Sequence, residues 1–153
     1  RIVLSEPANA RLVGSGLAQP RGPGGAPAAS HPAFEPHPIQ GWTPDFIPDV
    51  LQEAIDRHYC DQVVPIAGPK AVEWAKALAQ KEGIFTGISG GATFGVARQI
   101  AEGAPAGSVV LCMLPDTGER YLSTPLFETI PADMDEEELA LSRSTPGFQL
   151  AAE

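Results

Sequence analysis

The sequence predicts an α/β fold with three layers, in which a mostly parallel sheet is flanked by helices. Short apolar runs rich in β-branched residues alternate with segments of helical periodicity. This alternation is typical of βαβ units with right-handed crossovers. Residues 108–114 (SVVLCML) are apolar almost without interruption and lie between Gly107 and Pro115. Because such a run is typical of a strand buried on both faces, we expect 108–114 to be the central strand.

Three elements are predicted in the first half of the chain. Residues 1–6 (RIVLSE) read as a buried strand that Pro7 closes. Apolar residues at helical offsets over 49–59 predict a short helix. Residues 62–66 (QVVPI) predict a strand, and Pro65 restricts it to an edge or an end of the sheet because proline cannot donate to a ladder.

The second half repeats the strand and helix pattern. The most regular amphipathic pattern covers 70–82 and stops at Gly83, which is a typical helix C-cap. A short extended run is predicted over 84–88, then a glycine turn, then a helix over 92–102. Acidic residues crowd the start of the tail, 131–153, and suit the first turn of a surface helix. The last dozen residues lack a core-forming pattern, and we expect them to be disordered.

Proline and glycine interrupt the chain between residues 14 and 38, which hold five Gly and six Pro. This is the chemistry of loops and linkers, so we predict a loosely attached surface insertion there, the alternative being a segment that touches a partner. The domain boundaries that follow are one domain over 1–130 with an insertion at 14–38, and an acidic tail over 131–153.

Composition excludes several classes of protein. The chain has 153 residues with 10 Lys and Arg against 19 Asp and Glu, and this acidic balance disfavours nucleic acid as a partner. No apolar run reaches the roughly 18 to 20 residues of a membrane-spanning helix. Two cysteines, Cys60 and Cys112, are too few for a disulfide framework or a cysteine-based zinc site. We therefore expect a cytoplasmic protein without a metal site. The chain opens directly in a strand without Met, and we expect it to be part of a longer protein.

The strongest candidate site is the segment GISGGATFG at 87–95. Glycines between an extended run and a helix allow close backbone approach to a ligand, and helix N–H groups favour an electron-rich atom. The alternative is a glycine turn that only permits tight packing of the helix, and the spacing leaves both open. The segment also matches G-x-S-x-G, the nucleophile elbow of α/β hydrolases. That fold needs a histidine after Ser89, whereas all three histidines precede it, so the hydrolase interpretation is rejected.

A second motif, LPDTGERYLST at 114–124, follows the predicted central strand. It is therefore expected at the same sheet edge as a ligand. The alternative is a turn held by local hydrogen bonds from Asp116 and Thr117.

The strings HPIQGWTPDFIP (37–48), ISGGA (88–92) and LPDTGERYLST (114–124) occur in this order, and together they resemble cysteine synthase. This family, also called O-acetylserine sulfhydrylase, belongs to the β-family of pyridoxal-phosphate enzymes, and the resemblance covers residues 1–127. It implies the C-terminal part of the tryptophan synthase β-like fold. It also implies a transferase of cysteine biosynthesis, in which sulfide replaces the acetate of O-acetyl-L-serine to give L-cysteine.

The resemblance assigns roles to two residues of this chain. Ser89 would hydrogen-bond the pyridine nitrogen of pyridoxal 5'-phosphate, and a neutral hydroxyl there would leave the cofactor a weaker electron sink than a carboxylate would. Gly41 would belong to a substrate loop over the site entrance. The chain departs from the family at 42–45 (WTPD) and at Gly90, where serine is commoner. We expect Trp42 to pack against the insertion at 14–38 rather than to narrow the entrance.

The resemblance also implies that this chain holds no catalytic residue of its own. Its three lysines, Lys70, Lys76 and Lys81, lie on one amphipathic stretch, and none matches the family's Schiff-base lysine. The implied partners are an N-terminal half of the same enzyme, a second copy in a homodimer, and the C-terminal tail of serine acetyltransferase. Two alternatives stay open: a non-catalytic regulatory derivative of the fold, and cystathionine β-synthase-like activity.

Overall fold

The computed structural model describes residues 1–144. In chain order the elements are strand β1 (Val3–Pro7), helix α1 (Asp49–Asp56), strand β2 (Gln62–Ile66), helices α2 (Gly68–Glu82) and α3 (Ile88–Glu102), a 3-10 turn (Gly118–Tyr121) and helix α4 (Glu136–Arg143). The predicted helices over 49–59 and 70–82 are confirmed, the first ending three residues early. None of the helices within 1–144 has the length and apolar character that a membrane crossing requires.

The two strands form a parallel pair. Val3 lies opposite Gln62 and Pro7 opposite Ile66, so both strands predicted in the first half of the chain are confirmed. Pro65 is tolerated because β2 has a neighbour on one side only within the described residues.

Helices α2 and α3 pack closely against each other through small residues. A Cβ on Gly91 would lie 2.2 Å from the carbonyl oxygen of Ala71 and 2.6 Å from the backbone nitrogen of Ala75. The backbones of α2 and α3 can approach each other this closely only because residue 91 has no side chain. The main apolar cluster surrounds this contact and contains Ile39, Val64, Ile66, Ala71, Ala75, Ile88, Ala92, Val96, Tyr121 and Leu126.

The proline- and glycine-rich segment 14–38 contains neither helix nor strand, as predicted, but it is tied to its neighbours. Gln19 is buried, donates from Nε2 to the carbonyl of Ala29 at 2.8 Å, and accepts from the backbone N–H of Ile47 at 2.9 Å. His31 is buried as well. The segment therefore packs beside α1 and is not the loosely attached insertion that we expected.

The predicted central strand is wrong within the described residues. Residues 108–114 make no β-ladder, and Val109, Leu111 and Met113 are 94%, 95% and 72% exposed. The short extended run predicted over 84–88 is confirmed in part, since Thr86 forms an isolated bridge to Thr117, but it forms no ladder and Ile88 already belongs to α3. A strand needs a neighbour whose backbone groups pair with its own, and no other described segment pairs with 108–114. The sheet therefore has two strands here instead of the larger sheet that we predicted.

The acidic tail begins with a capped helix. Asp135 accepts from the backbone N–H of Glu138 at 2.8 Å, and Glu138 accepts from the backbone N–H of Asp135 at 2.9 Å. This capping box is consistent with the helix predicted from the acidic run. The expectation of disorder for the last dozen residues falls mostly on 145–153, which lie outside the described residues.

Candidate functional site

Ser89 lies in the first turn of α3. The predicted glycine turn is already helical, because α3 begins at Ile88 with Gly87 as its extended N-cap. The amide groups of a first helical turn have no partners within the helix, so Ser89 lies where the backbone is electropositive. Ser89 itself is only 3% exposed.

The glycines around Ser89 serve packing within the chain. A Cβ on Gly90 would lie 2.0 Å from Thr86 Oγ1, and a Cβ on Gly87 would lie 2.2 Å from the ring of Tyr121. Both positions are filled by the protein's own atoms. The packing interpretation of this glycine motif is therefore correct at these two positions, and any ligand must approach Ser89 from another side.

The second sequence motif supplies the polar neighbours of Ser89. The Ser89 hydroxyl donates to Asp116 Oδ1 at 3.3 Å, and the Tyr121 hydroxyl donates to Asp116 Oδ2 at 2.5 Å. Burial, followed by the hydrogen bond to Asp116, raises the pKa of the Tyr121 phenol above its ordinary value, so the phenol remains a donor at neutral pH. The sequence placed both motifs at one edge but missed this contact between Ser89 and Asp116.

Two backbone contacts hold the motifs together. Thr86 pairs with Thr117 in an isolated antiparallel bridge, and the N–H of Gly118 donates to the carbonyl of Phe85 at 3.2 Å. Thr86 also donates from Oγ1 to the backbone carbonyl of Asp116 at 3.1 Å. The position of Asp116 is therefore set by the residues that immediately precede α3.

The loop around Gly41 is anchored in the core but exposed at its tip. Ile39 is fully buried, whereas Gly41 is exposed with φ 84° and a Cβ there would meet no atom within 4 Å. Thr43 also has a positive φ, 44°, which is rare for a β-branched residue. Trp42 packs against the main apolar cluster, which contains no residue of the segment 14–38 where we expected its contacts. Backbone strain of this kind is concentrated at functional loops.

A cleft of about 530 Å³ joins these parts. One wall is residues 3–6 of β1, another is the loop 41–44, and the remainder includes Thr93, Met113 and Pro115. Thr93 lies one turn beyond Ser89 and donates to its carbonyl oxygen at 3.0 Å, and Pro115 precedes Asp116. The cleft therefore contains Gly41 and chain neighbours of the Ser89 and Asp116 pair, but neither Ser89 nor Asp116 is part of its lining.

The fold and this cleft belong to a recognisable class. The family described as pyridoxal-phosphate dependent enzyme matches residues 1–116, so the chain belongs to the pyridoxal-phosphate-dependent enzymes. Within that class it is a member of the cysteine synthase-like β-family. Pyridoxal phosphate, which we predicted as the cofactor, is the cofactor of this family. The predicted fold is confirmed as a part of the tryptophan synthase β-like fold.

Two relatives show the similarity in sequence. The chain is 43% identical over 140 residues to O-ureido-L-serine synthase from Streptomyces lavendulae, covering 92% of this chain and 37% of that protein. It is 38% identical over 105 residues to a cysteine synthase from Staphylococcus aureus, covering 69% of this chain and 33% of that protein. The chain thus spans little more than a third of the length of these relatives.

Solved structures agree with this assignment. The crystal structure of O-ureido-L-serine synthase superposes with a TM-score of 0.71 at 43% identity, over 92% of this chain and 38% of that one. The cysteine synthase from Entamoeba histolytica superposes with a TM-score of 0.66 at 27% identity, over 94% of this chain and 36% of that one.

Ser89 has the chemistry that would suit the ring nitrogen of pyridoxal phosphate, because a hydroxyl can accept from or donate to a pyridine nitrogen. Its hydroxyl is nevertheless buried, donates to Asp116 and is not part of the lining of the cleft. The three lysines all lie on α2, and Lys70 is paired with Glu73 at 2.7 Å on the surface. None of them contributes to the lining of the cleft.

Proposed function

We propose that this chain is the part of a pyridoxal-phosphate-dependent β-replacement enzyme that supports the cofactor ring and covers the substrate. The substrate would be O-acetyl-L-serine and the incoming nucleophile sulfide, which makes the product L-cysteine. The observation that carries this proposal is the match of residues 1–116 to a family that uses this cofactor, in a chain that has Ser89 at the start of α3 and Gly41 in the lining of a cleft.

Each residue has a limited task in this proposal. Ser89 holds the ring nitrogen by a hydrogen bond and fixes the tilt of the ring. Gly41 lets the loop approach the substrate closely, because it has no side chain and a left-handed backbone. When bound, pyridoxal phosphate would supply the electron sink that allows one group to leave the β-carbon of serine and another to add.

The remaining machinery comes from outside this chain. The Schiff-base lysine and the phosphate-binding residues would lie on an N-terminal half of the enzyme. The exposed side chains of Val109, Leu111 and Met113 support this division, since apolar residues on an extended segment are stabilised when another segment covers them. Assembly as a homodimer, and capture of a serine acetyltransferase tail in the cleft, are further parts of the proposal.

A second candidate is favoured by the extent of the similarity. The match to O-ureido-L-serine synthase covers 92% of this chain, against 69% for the cysteine synthase, and includes more of the chain at higher identity. In that case hydroxyurea would be the nucleophile, and its hydroxyl oxygen would lose its proton and bond to the β-carbon as acetate leaves, which would give O-ureido-L-serine. The two candidates share the cofactor and the serine substrate, and they differ only in the nucleophile that adds to the β-carbon.

The test is to assemble the complete enzyme and offer it O-acetyl-L-serine with sulfide, hydroxyurea or homocysteine in turn. L-Cysteine as the fastest product supports the first candidate, O-ureido-L-serine the second, and cystathionine the third activity that the sequence leaves open. Ser89→Ala should lower turnover and alter the visible absorbance of the cofactor. Ser142→Ala, at an exposed serine on α4 outside the cleft, should change neither. A complete enzyme that binds no pyridoxal phosphate would overturn the proposal and favour a regulatory derivative of the fold.

A further inference from the structure

Residues 17–31 fold back on themselves as a hairpin. Arg21 and Pro27 form an isolated antiparallel bridge, and the chain reverses at Gly24, whose φ is 92°. Hydrogen bonds continue the pairing on both sides of the bridge, from Gly22 N–H to Ala26 O at 2.9 Å, Ala28 N–H to Pro20 O at 2.9 Å, Gln19 Nε2 to Ala29 O at 2.8 Å and His31 Nε2 to Leu17 O at 3.1 Å. Every pair is centred on residue 24, so this proline- and glycine-rich stretch has one defined register.

Two side chains of the hairpin hold the backbone of Ile47, which follows the loop around Gly41. The N–H of Ile47 donates to Gln19 Oε1 at 2.9 Å, and its carbonyl accepts from Arg21 Nη2 at 2.8 Å. Ile47 is 4% exposed and Gln19 is 7% exposed. A buried N–H that loses its partner keeps the full cost of its desolvation. Gln19 therefore fixes the place of Ile47 in the interior.

A second pair of contacts holds Asp45, two residues earlier. Its backbone carbonyl accepts from the N–H of His31 at 2.6 Å, and its carboxylate accepts from the hydroxyl of Ser30. His31 is itself buried. The open end of the hairpin thus supplies polar partners to residues 45–47, which belong to no helix or strand.

The part of the loop between its two fixed ends is short. Ile39 is fully buried before it, and Asp45 is held after it. Both left-handed residues of the loop, Gly41 with φ 84° and Thr43 with φ 44°, lie in between. Such backbone persists only where its surroundings hold it in place. Because the outgoing end is held by the hairpin, the shape of the loop depends on residues 19–31.

We propose that the hairpin 17–31 is a clasp that fixes the outgoing end of the loop around Gly41, with Gln19 as a positioning residue for binding of the serine substrate. This inference rests on the proposed function, which places the substrate under that loop. A loop whose end is already fixed loses less conformational entropy when the substrate binds. Loss of the clasp should therefore weaken substrate binding without changing the groups that react.

The test uses the complete enzyme with Gln19→Leu, which keeps the approximate size of the side chain and removes its amide. Hydrogen–deuterium exchange, read by mass spectrometry, should be about ten-fold faster in the peptide 45–48 than in the unchanged enzyme, and unchanged in a peptide within α2. Steady-state kinetics should show the KM for O-acetyl-L-serine raised about five-fold and kcat within about two-fold. A general loss of folded enzyme would lower the apparent kcat instead.

A second variant and a control accompany Gln19→Leu. Ser30 is exposed, and Ser30→Ala removes only its contact with the Asp45 carboxylate. It should change the exchange of 45–48 and the KM in the same direction by a smaller factor, and it provides a reading if Gln19→Leu does not fold. Gln99→Leu, at an exposed glutamine on α3, is the matched control and should change neither quantity.

The outcomes distinguish this inference from the proposed function. If exchange of 45–48 is unchanged in Gln19→Leu and Ser30→Ala, or rises equally in α2, the hairpin is not a clasp and the inference is wrong. If exchange of 45–48 rises but only Gly41→Ala raises the KM, the loop meets the substrate and the positioning role of Gln19 is wrong. If exchange rises and neither Gly41→Ala nor Gln19→Leu raises the KM, the proposed function fails at this loop, and the positioning role fails with it.

Discussion

Gly91 is the position where one methyl group should change the stability of the fold most clearly. It lies on α3 against α2, and its missing Cβ would fall 2.2 Å from Ala71 O, 2.6 Å from Ala75 N and 2.8 Å from Ala75 Cβ. Two of these three atoms are backbone atoms of a helix, which cannot rotate away as the end of a long side chain can. Gly91→Ala therefore requires α2 and α3 to move apart.

The sign of the effect follows from two opposing contributions. Alanine in a helix interior is more stable than glycine by about 1 kcal/mol. Overpacking usually costs about 1–3 kcal/mol and occasionally more, and contact with backbone at this distance belongs at the upper end. We expect a net loss of about 2 kcal/mol, which is about a 30-fold change in the unfolding equilibrium constant.

Gly103→Ala is the matched control at the other end of α3. The backbone there has φ −95°, which alanine adopts freely, and the nearest atom to a Cβ would be 3.9 Å away. We expect a change within about 0.5 kcal/mol. Equilibrium unfolding in urea, followed by the fluorescence of Trp74 near the contact, measures both variants. If Gly91→Ala is as stable as the unchanged protein, the close helix contact described here is wrong.

Three further predictions concern the cleft and its surroundings. Gly41→Ala in the complete enzyme should raise the KM for the serine substrate several-fold. Gly107→Ala is the control and should leave the KM unchanged, although the added Cβ there has the same backbone strain, at φ 85°, and also meets no atom within 4 Å. Steady-state kinetics of both variants tests this prediction. Leu111→Asp should lower the melting temperature of the complete enzyme but not of this chain alone, where Leu111 is 95% exposed. Calorimetry of the complete enzyme and of the isolated chain, each with and without the substitution, measures the four melting temperatures. The contribution of Tyr121 to stability should be complete below its ordinary pKa of 10.0 and be lost as pH rises through the higher folded pKa; urea titrations against pH should show this loss, and Tyr121→Phe should abolish it.

Each of these expectations has an outcome that contradicts it. Equal rises in KM for Gly41→Ala and Gly107→Ala would mean that the loop has no special contact with substrate. Destabilisation of the isolated chain by Leu111→Asp would mean that its surroundings are already apolar here. Unchanged pH dependence in Tyr121→Phe would assign the alkaline loss to another group.

The sequence predicted those elements whose partners lie within the chain. Helix α2 has a complete apolar stripe that meets α3, and Gly83 ends it with φ 68°, as a C-cap glycine should. Strands β1 and β2 likewise pair with each other within the chain. The run 108–114 has the strongest strand pattern of all and forms no strand here, because no described segment pairs with it; in the proposed function an N-terminal half would supply that neighbour. An apolar composition indicates that a segment will be buried, but it does not indicate which residues will cover that segment.

The residues of the candidate site could be predicted from the sequence, but the contacts between them could not. Ser89 and the motif at 114–124 were both identified from the sequence, and each carried an alternative as a local packing or turn motif. The structure makes these alternatives compatible with a binding role. Gly87 and Gly90 are needed for packing, and that packing is what brings Asp116 to Ser89. No periodicity could have signalled this, because the contact joins residues 27 positions apart through side chains alone.

The exposed apolar face and the cleft have a common explanation. Strand β1 pairs with β2 on one edge only, and the cleft separates its other side from Met113 and Pro115. A strand inserted between them would have backbone partners on both sides and would cover Val109 or Leu111 in the process. Ser89, Gly41 and the cleft would then lie at one end of a continuous sheet, where open α/β sheets bind their ligands. If the proposed function is correct, we expect the segment that completes the sheet to supply the remainder of the site as well.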